Sequence, residues 1–247
     1  MKSEYFVKRR TIRKFKAEAV SRSLTESIVA RAAKAPTTGN MQLYSVISTS
    51  EPEMLKKLAA LHFNQPAAAG APLMLTVCAD INRFTRWCEL SEAKVGFDNF
   101  LSFIYAFSDA LILTQQIVTI AEMEGLGTCY LGTVLSNTPE IAALLKLPKG
   151  VVPVACISLG WPAEEGEETE RLDVGAILHE ERYREDSDEE ILNIYKVKEE
   201  YAPNAKFVEE NHKKNLAQVF AEVRYPKEVN EASSEKFLKF LKENCCI

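Results

Sequence analysis

A chain of 247 residues with 47% hydrophobic and 26% charged side chains has the composition of a globular protein, which excludes the disordered and fibrous classes. Thirty basic against thirty-five acidic residues leave a net charge of -5, so there is no general attraction to nucleic acid or to an anionic membrane. HExxH, GxSxG and Walker sequences are missing, and six cysteines (78, 88, 129, 156, 245 and 246) form no CxxC pair, which removes the commonest metal, serine-hydrolase and nucleotide-loop readings and points to reduced, cytosolic thiols.

The N-terminus runs against the overall acidity. Residues 1–16 hold seven basic side chains (2, 8, 9, 10, 13, 14 and 16) against Glu4, and no apolar stretch follows them, so this is not a signal peptide. Arg9-Arg10-Thr11-Ile12-Arg13 sets guanidinium groups and a hydroxyl within five residues, a pattern that suits either phosphate oxygens or an exposed basic helix end. Ser23-Leu24-Thr25-Glu26 has capping-box spacing and predicts a helix opening at Ser23 and ending by Pro36. Pro36-Thr37-Thr38-Gly39-Asn40 reads as a loop rich in short donors and acceptors.

Further on, 44–49 is expected to be a strand, 53–61 a helix and 73–79 (LMLTVCA) a strand buried on both faces. Residues 97–124 predict the longest helix. Its apolar residues cover nearly the whole circumference, so it must be enclosed by its own domain or by a second subunit; Asp98, Asp109 and the glutamines argue against a membrane span. Gly125 and Gly127 stop it, 128–131 follows as a strand, 138–145 as a helix and 151–159 as another buried strand. Gly125-Leu126-Gly127 lacks the third glycine and the preceding strand of a dinucleotide fingerprint. Residues 163–190 carry thirteen acidic side chains, usually a solvated face. Two or three amphipathic helices close the chain. Cys245-Cys246-Ile247 is no CaaX box, because Asn244 stands fourth from the end.

Together, RRTIRKF (9–15), APTTGNMQ (35–42), Asn64-Gln65, APLMLTVCAD (71–80), EGLGTCYLG (124–132) and LKLPKGVVPVACISLGWP (145–162) leading to Arg171-Leu172 resemble the nitroreductase family of FMN-dependent NAD(P)H oxidoreductases, closest to its major oxygen-insensitive and flavin-reductase branch. The resemblance runs from Tyr5 to about Tyr183. It implies an α/β (α+β) three-layer fold: a central mixed, mostly antiparallel sheet flanked by helices, a long central dimerisation helix and a C-terminal helical extension. One domain over 1–247 is expected, with its core at about 1–183 and a helical arm at about 184–247.

The resemblance also implies a cytoplasmic homodimer with one FMN at each end of the interface and NAD(P)H as co-substrate. Carried over by position, Arg9, Arg10, Thr11 and Arg13 form the first flavin segment. Arg9 and Arg171 hold the phosphate, and Arg13 reaches the ribityl chain and the N1/O2 edge. Thr37, Thr38 and Asn40 come from the other subunit, Gln65 meets the pyrimidine edge, and Tyr130, Leu131, Gly132 and Thr133 offer backbone N–H groups near N5. No protein nucleophile and no metal is expected, since the flavin carries the chemistry. The implied activity is ping-pong, two-electron reduction of nitroaromatics, quinones or flavins. The alternatives are a non-enzymatic FMN-binding sensor or storage protein, or an oxidative flavin enzyme of the same fold. Two positions depart from the pattern: Thr169 stands where relatives have lysine, and Thr133 where they have a second glycine.

Overall fold

Four strands form the sheet: β1 (Tyr44–Thr49), β2 (Leu73–Asp80), β3 (Gly127–Tyr130) and β4 (Val151–Gly160), in the spatial order β1-β2-β4-β3. All three pairings are antiparallel, so the described sheet contains none of the parallel pairing that a mixed sheet would have. Every residue of β2 and β4 is buried, which explains their unbroken apolar runs. On β2, Leu73, Leu75, Val77 and Ala79 face a core that includes Phe103, Ala110, Leu113 and Ile117 of the long helix. Met74 points the other way, to a second core with Leu58, Leu131, Val134 and Ile141. Two apolar layers on opposite sides of one sheet make the three-layer arrangement.

The structure, a computed structural model, describes residues 4–245; Met1, Lys2, Ser3, Cys246 and Ile247 lie outside the described residues, and with them part of the basic start and of the Cys-Cys-Ile ending. The chain packs as two units. The larger comprises Arg10–Gly166 with Ser233–Ile247, the smaller Met1–Arg9 with Glu167–Ala232. The larger holds the sheet, the long helix and the end of helix Lys227–Asn244, whose Phe240 and Leu241 join the first core. The smaller holds helices Glu4–Lys8, Asp188–Glu199 and Ala202–Glu210.

The long helix spans Phe100–Met123 and is capped by the Asn99 side chain, which accepts from the Ser102 N–H. By length and hydropathy it would cross a membrane, yet half of its most apolar window is buried inside the protein. Its other face is apolar and exposed: Phe100, Leu101, Ile104, Ile112 and Met123 all present side chains outward. Gly125, at φ 86°, takes the left-handed conformation that ends the helix.

The first long helix corrects the capping-box reading. It spans Arg22–Ala32 and its N-cap is Ser21, whose hydroxyl accepts from the Leu24 N–H, while Glu26 pairs with Arg22 at 2.7 Å instead of turning back to Ser23. An (i, i+4) guanidinium competes successfully for that carboxylate. A true capping box occurs at Ser187 and Glu190, inside the acidic run.

The basic segment is fixed across the sheet edge. Ile12 N–H donates to the Thr128 carbonyl at 3.0 Å and Lys16 N–H to the Trp161 carbonyl at 2.8 Å. Glu164 accepts from the Arg13 and Lys14 N–H groups at 2.8 and 3.1 Å. This crossing needs a glycine beneath it: a Cβ on Gly127 would lie 2.6 Å from Ile12 Cβ. Gly127→Ala is therefore expected to lose about 1–3 kcal/mol by overpacking. Urea unfolding measures it, and an unchanged midpoint would show that the segment is not held there.

Candidate functional site

Three stretches of the larger unit carry most of the expected ligand contacts, and each is held by a different device. The first is the crossing segment just described. Its backbone N–H groups are tied to Glu164, so the exposed Arg13 guanidinium, which makes no hydrogen bond or ion pair among the described residues, is left available to an anion. Arg10 reaches the Gly166 carbonyl at 3.5 Å, and Thr11 is half-buried beside it.

The second stretch is the loop at 37–42. Gly39, Asn40 and Gln42 all have positive φ (55°, 57° and 55°), a costly run that needs an anchor. Asp109 of the long helix supplies it. This carboxylate is 1% exposed and accepts from Thr38 N–H at 2.8 Å, Thr38 Oγ1 at 3.0 Å and Leu43 N–H at 3.4 Å. Thr38 is thus committed to Asp109, whereas the buried Thr37 hydroxyl has no partner among the described residues and Asn40 is exposed.

The third stretch is the turn after β3. The Leu131 N–H already donates to the Cys156 carbonyl at 2.8 Å, so it is withdrawn from the set of donors expected near a ligand. Gly132 and Thr133 begin the 3₁₀ turn Gly132–Asn137, and as its first two residues their N–H groups find no acceptor among the described residues. The Tyr130 ring is 45% exposed. Gln65 stands exposed at the N-cap of helix Pro66–Ala69.

Behind the third stretch lies a residue that the sequence did not mark. His62 is 0% exposed, and its Nδ1 is 2.8 Å from Thr133 Oγ1. Burial pushes its pKa down from 6.5 to about 4, so the ring is neutral at pH 7. An unfolded chain takes up this proton below pH 6.5 and the native one does not. Stability is therefore full above pH 6.5 and falls as pH drops from 6.5 to 4, by about 3 kcal/mol in all. Urea unfolding at several pH values, compared with His62→Gln, measures that share; identical slopes in both proteins would contradict it.

Arg9 and Arg171 belong to the smaller unit. The exposed Arg171 Nη1 donates to Thr169 Oγ1 at 2.6 Å, to the Thr169 carbonyl at 3.3 Å and to the Glu170 carbonyl at 2.8 Å. Thr169 thus orients the arginine instead of adding a second cation. Within the same unit Arg171 lines a cavity of about 590 Å³ with Asp173, Arg184, Glu190 and Asn193, where Arg184 is held by Asp186 and Glu190.

The residues of the larger unit suit a flavin mononucleotide. An unengaged guanidinium, an unpartnered hydroxyl and two unused backbone N–H groups supply the donors that an electron-rich heteroaromatic edge accepts. Asp109, Glu164 and His62 were not marked by the sequence because each acts by holding a neighbouring segment in place. The one legible sign was Asp109, a carboxylate in an otherwise apolar helix, which must have donors waiting for it.

Comparison with known proteins identifies the family. The family model described as the nitroreductase family matches residues 6–161. An oxygen-insensitive NADPH nitroreductase from Salmonella typhimurium is 32% identical over 186 residues, 75% of each chain. An FMN reductase (NAD(P)H) from Bacillus subtilis is 35% identical over 176 residues, 70% of this chain and 71% of its own. Among solved structures, a candidate oxidoreductase from Bacteroides fragilis matches with a TM-score of 0.94 and 41% identity over 97% of both chains. A nitroreductase from B. subtilis matches with a TM-score of 0.78 and 26% identity over 95% of this chain and 97% of its own. With residues 6–161 matched by the family model and relatives more than 30% identical over most of both chains, the chain belongs to the nitroreductase family.

Proposed function

We propose that this chain is an NAD(P)H-dependent FMN oxidoreductase that reduces nitroaromatics, quinones or flavins, two electrons at a time, in a ping-pong cycle. The observation that carries the reading is the set of uncommitted donors in the larger unit: the Arg13 guanidinium, the Thr37 hydroxyl and the Gly132 and Thr133 N–H groups. Bound FMN supplies the two-electron redox chemistry. Arg13 would supply a permanent cation to the N1/O2 edge and ribityl chain, where it would stabilise negative charge on the reduced ring. In the larger unit Gly132 and Thr133 would offer N–H groups to N5, Gln65 would meet the pyrimidine edge, and Arg10, Thr11 and Tyr130 would complete the walls; in the smaller unit Arg9 and Arg171 are the cations suited to a phosphate. Thr37 and Asn40 would reach the flavin of the other subunit, while Thr38, whose N–H and hydroxyl are both engaged by Asp109, would hold the loop that presents them.

The homodimer rests on the outward face of Phe100–Met123. Phe100 and Leu101, at 54% and 55% exposure, begin an apolar stripe of the kind that marks an interaction surface. The double variant Leu101→Glu, Ile104→Glu is expected to elute as a monomer and to retain little FMN. A dimer of unchanged mass by light scattering would contradict this interface.

Steady-state kinetics test the reading. Varying NADPH or NADH against a nitroaromatic or quinone should give parallel double-reciprocal lines with bound FMN present. Intersecting lines would refute the ping-pong cycle, and no turnover with any of the three acceptor classes would refute the activity.

A further inference from the structure

Residues 61–65 form an unusual turn. Phe63 and Asn64 both have positive φ (58° and 49°), and a bulky phenylalanine in that region is a true outlier held in place by its surroundings. Its backbone is closed by Phe63 N–H donating to the Ala60 carbonyl at 3.1 Å and Asn64 N–H to the Ala59 carbonyl at 2.9 Å, and two side-chain contacts tie it to the turn at 132–137. Asn137 Nδ2 donates to the Leu61 carbonyl at 2.7 Å, and His62 Nδ1 lies 2.8 Å from Thr133 Oγ1. Lys236 of the C-terminal helix in turn donates to Asn137 Oδ1 at 3.2 Å and pairs with Glu140 at 2.7 Å, which fixes the 132–140 stretch from behind.

The consequence lies one residue further along. Gln65 emerges from the strained turn directly into helix Pro66–Ala69, and its own N–H donates to the His62 carbonyl at 3.2 Å. His62 therefore fixes Gln65 through its backbone and Thr133 through its ring. These two separate segments are assigned to different parts of one ligand, the pyrimidine edge and N5, and a fully buried side chain ties them at a set spacing.

We propose that His62 is a positioning residue for the flavin site: its hydrogen bond to the Thr133 hydroxyl holds Gln65 and the Gly132–Thr133 N–H groups in register with each other. This rests on the FMN reading above. The hydroxyl of Thr133 thus has a function of its own, distinct from that of its backbone. Loss of the bond leaves both segments folded but lets their separation vary, so the ligand meets one edge or the other less well.

Thr133→Val removes the hydroxyl at nearly constant shape, and Thr133→Ser restores it. FMN titration of the three apoproteins, with the absorption spectrum of the bound flavin recorded at saturation, separates positioning from plain stability. The expected result is about tenfold weaker FMN binding and shifted flavin bands for Thr133→Val, with Thr133→Ser close to the parent in both. The proposal is overturned if Thr133→Val keeps the parent's affinity and spectrum, whatever its thermal stability, or if Thr133→Ser is as impaired as Thr133→Val. A parent protein that takes up no FMN overturns the proposed function, and this inference with it; that outcome is read from the parent alone.

Discussion

The Arg13→Ala protein is expected to bind FMN roughly ten- to a hundredfold more weakly than the parent. The Arg13 backbone N–H is tied to Glu164, so truncating the side chain leaves the segment in place and removes only the guanidinium. A charge-assisted hydrogen bond contributes about 1.5–3 kcal/mol, which gives that range. Arg182 is the control: it is exposed in the acidic stretch, where single charges contribute about 0–1 kcal/mol. Flavin fluorescence titration of both variants decides the matter. Equal affinities would remove Arg13 from the site.

Asp109→Ala should be the most destabilising of the site substitutions, by about 3–5 kcal/mol, because it strands three donors where water does not reach. Those donors are Thr38 N–H, Thr38 Oγ1 and Leu43 N–H, the two ends of a loop whose Gly39, Asn40 and Gln42 are all left-handed. With the anchor gone the loop relaxes, and Thr37 and Asn40 leave their places. Asp109→Asn keeps one acceptor and should cost about half as much. Urea unfolding gives the stabilities, with exposed Asp98→Ala as the comparison. An Asp109→Ala protein as stable as Asp98→Ala would mean that the loop holds its own shape.

The strands were legible because burial on both faces writes itself as an apolar, β-branched run: LMLTVCAD became β2 and VVPVACISLG became β4, within a residue of the expected ends. The long helix was legible for a related reason, and one of its apolar faces is buried in the core while the other is exposed. Helix starts were less so. Ser21 and Ser23 are both competent caps, and only the path of the preceding chain decides between them, a long-range property that a four-residue pattern does not contain.

The site divides in the same way. Arg13, Thr37, Asn40, Gln65 and Thr133 were marked by resemblance, and the groups they leave unengaged are consistent with that marking. The residues that hold them were not marked. Glu164 was read as one more charge on a solvated face, yet it holds the basic segment from 151 residues away in sequence. Glu170, in the same run, binds Lys198 and Asn204, and these hydrogen bonds, with the Lys198 charge, hold its carboxyl below the usual range against the opposing effect of burial. Composition sees only the sum of such charges, whereas the fold selects individual ones. His62 had no motif at all, because a buried histidine gains its meaning from the residue it faces.

Anaerobic mixing of the FMN-loaded protein with NADPH, and separately with NADH, tests the central claim most directly. The visible absorption band of the bound flavin should bleach with at least one of the two, and return on adding a nitroaromatic or a quinone. A band that persists through both reductants would contradict the oxidoreductase reading and leave a protein that only binds flavin.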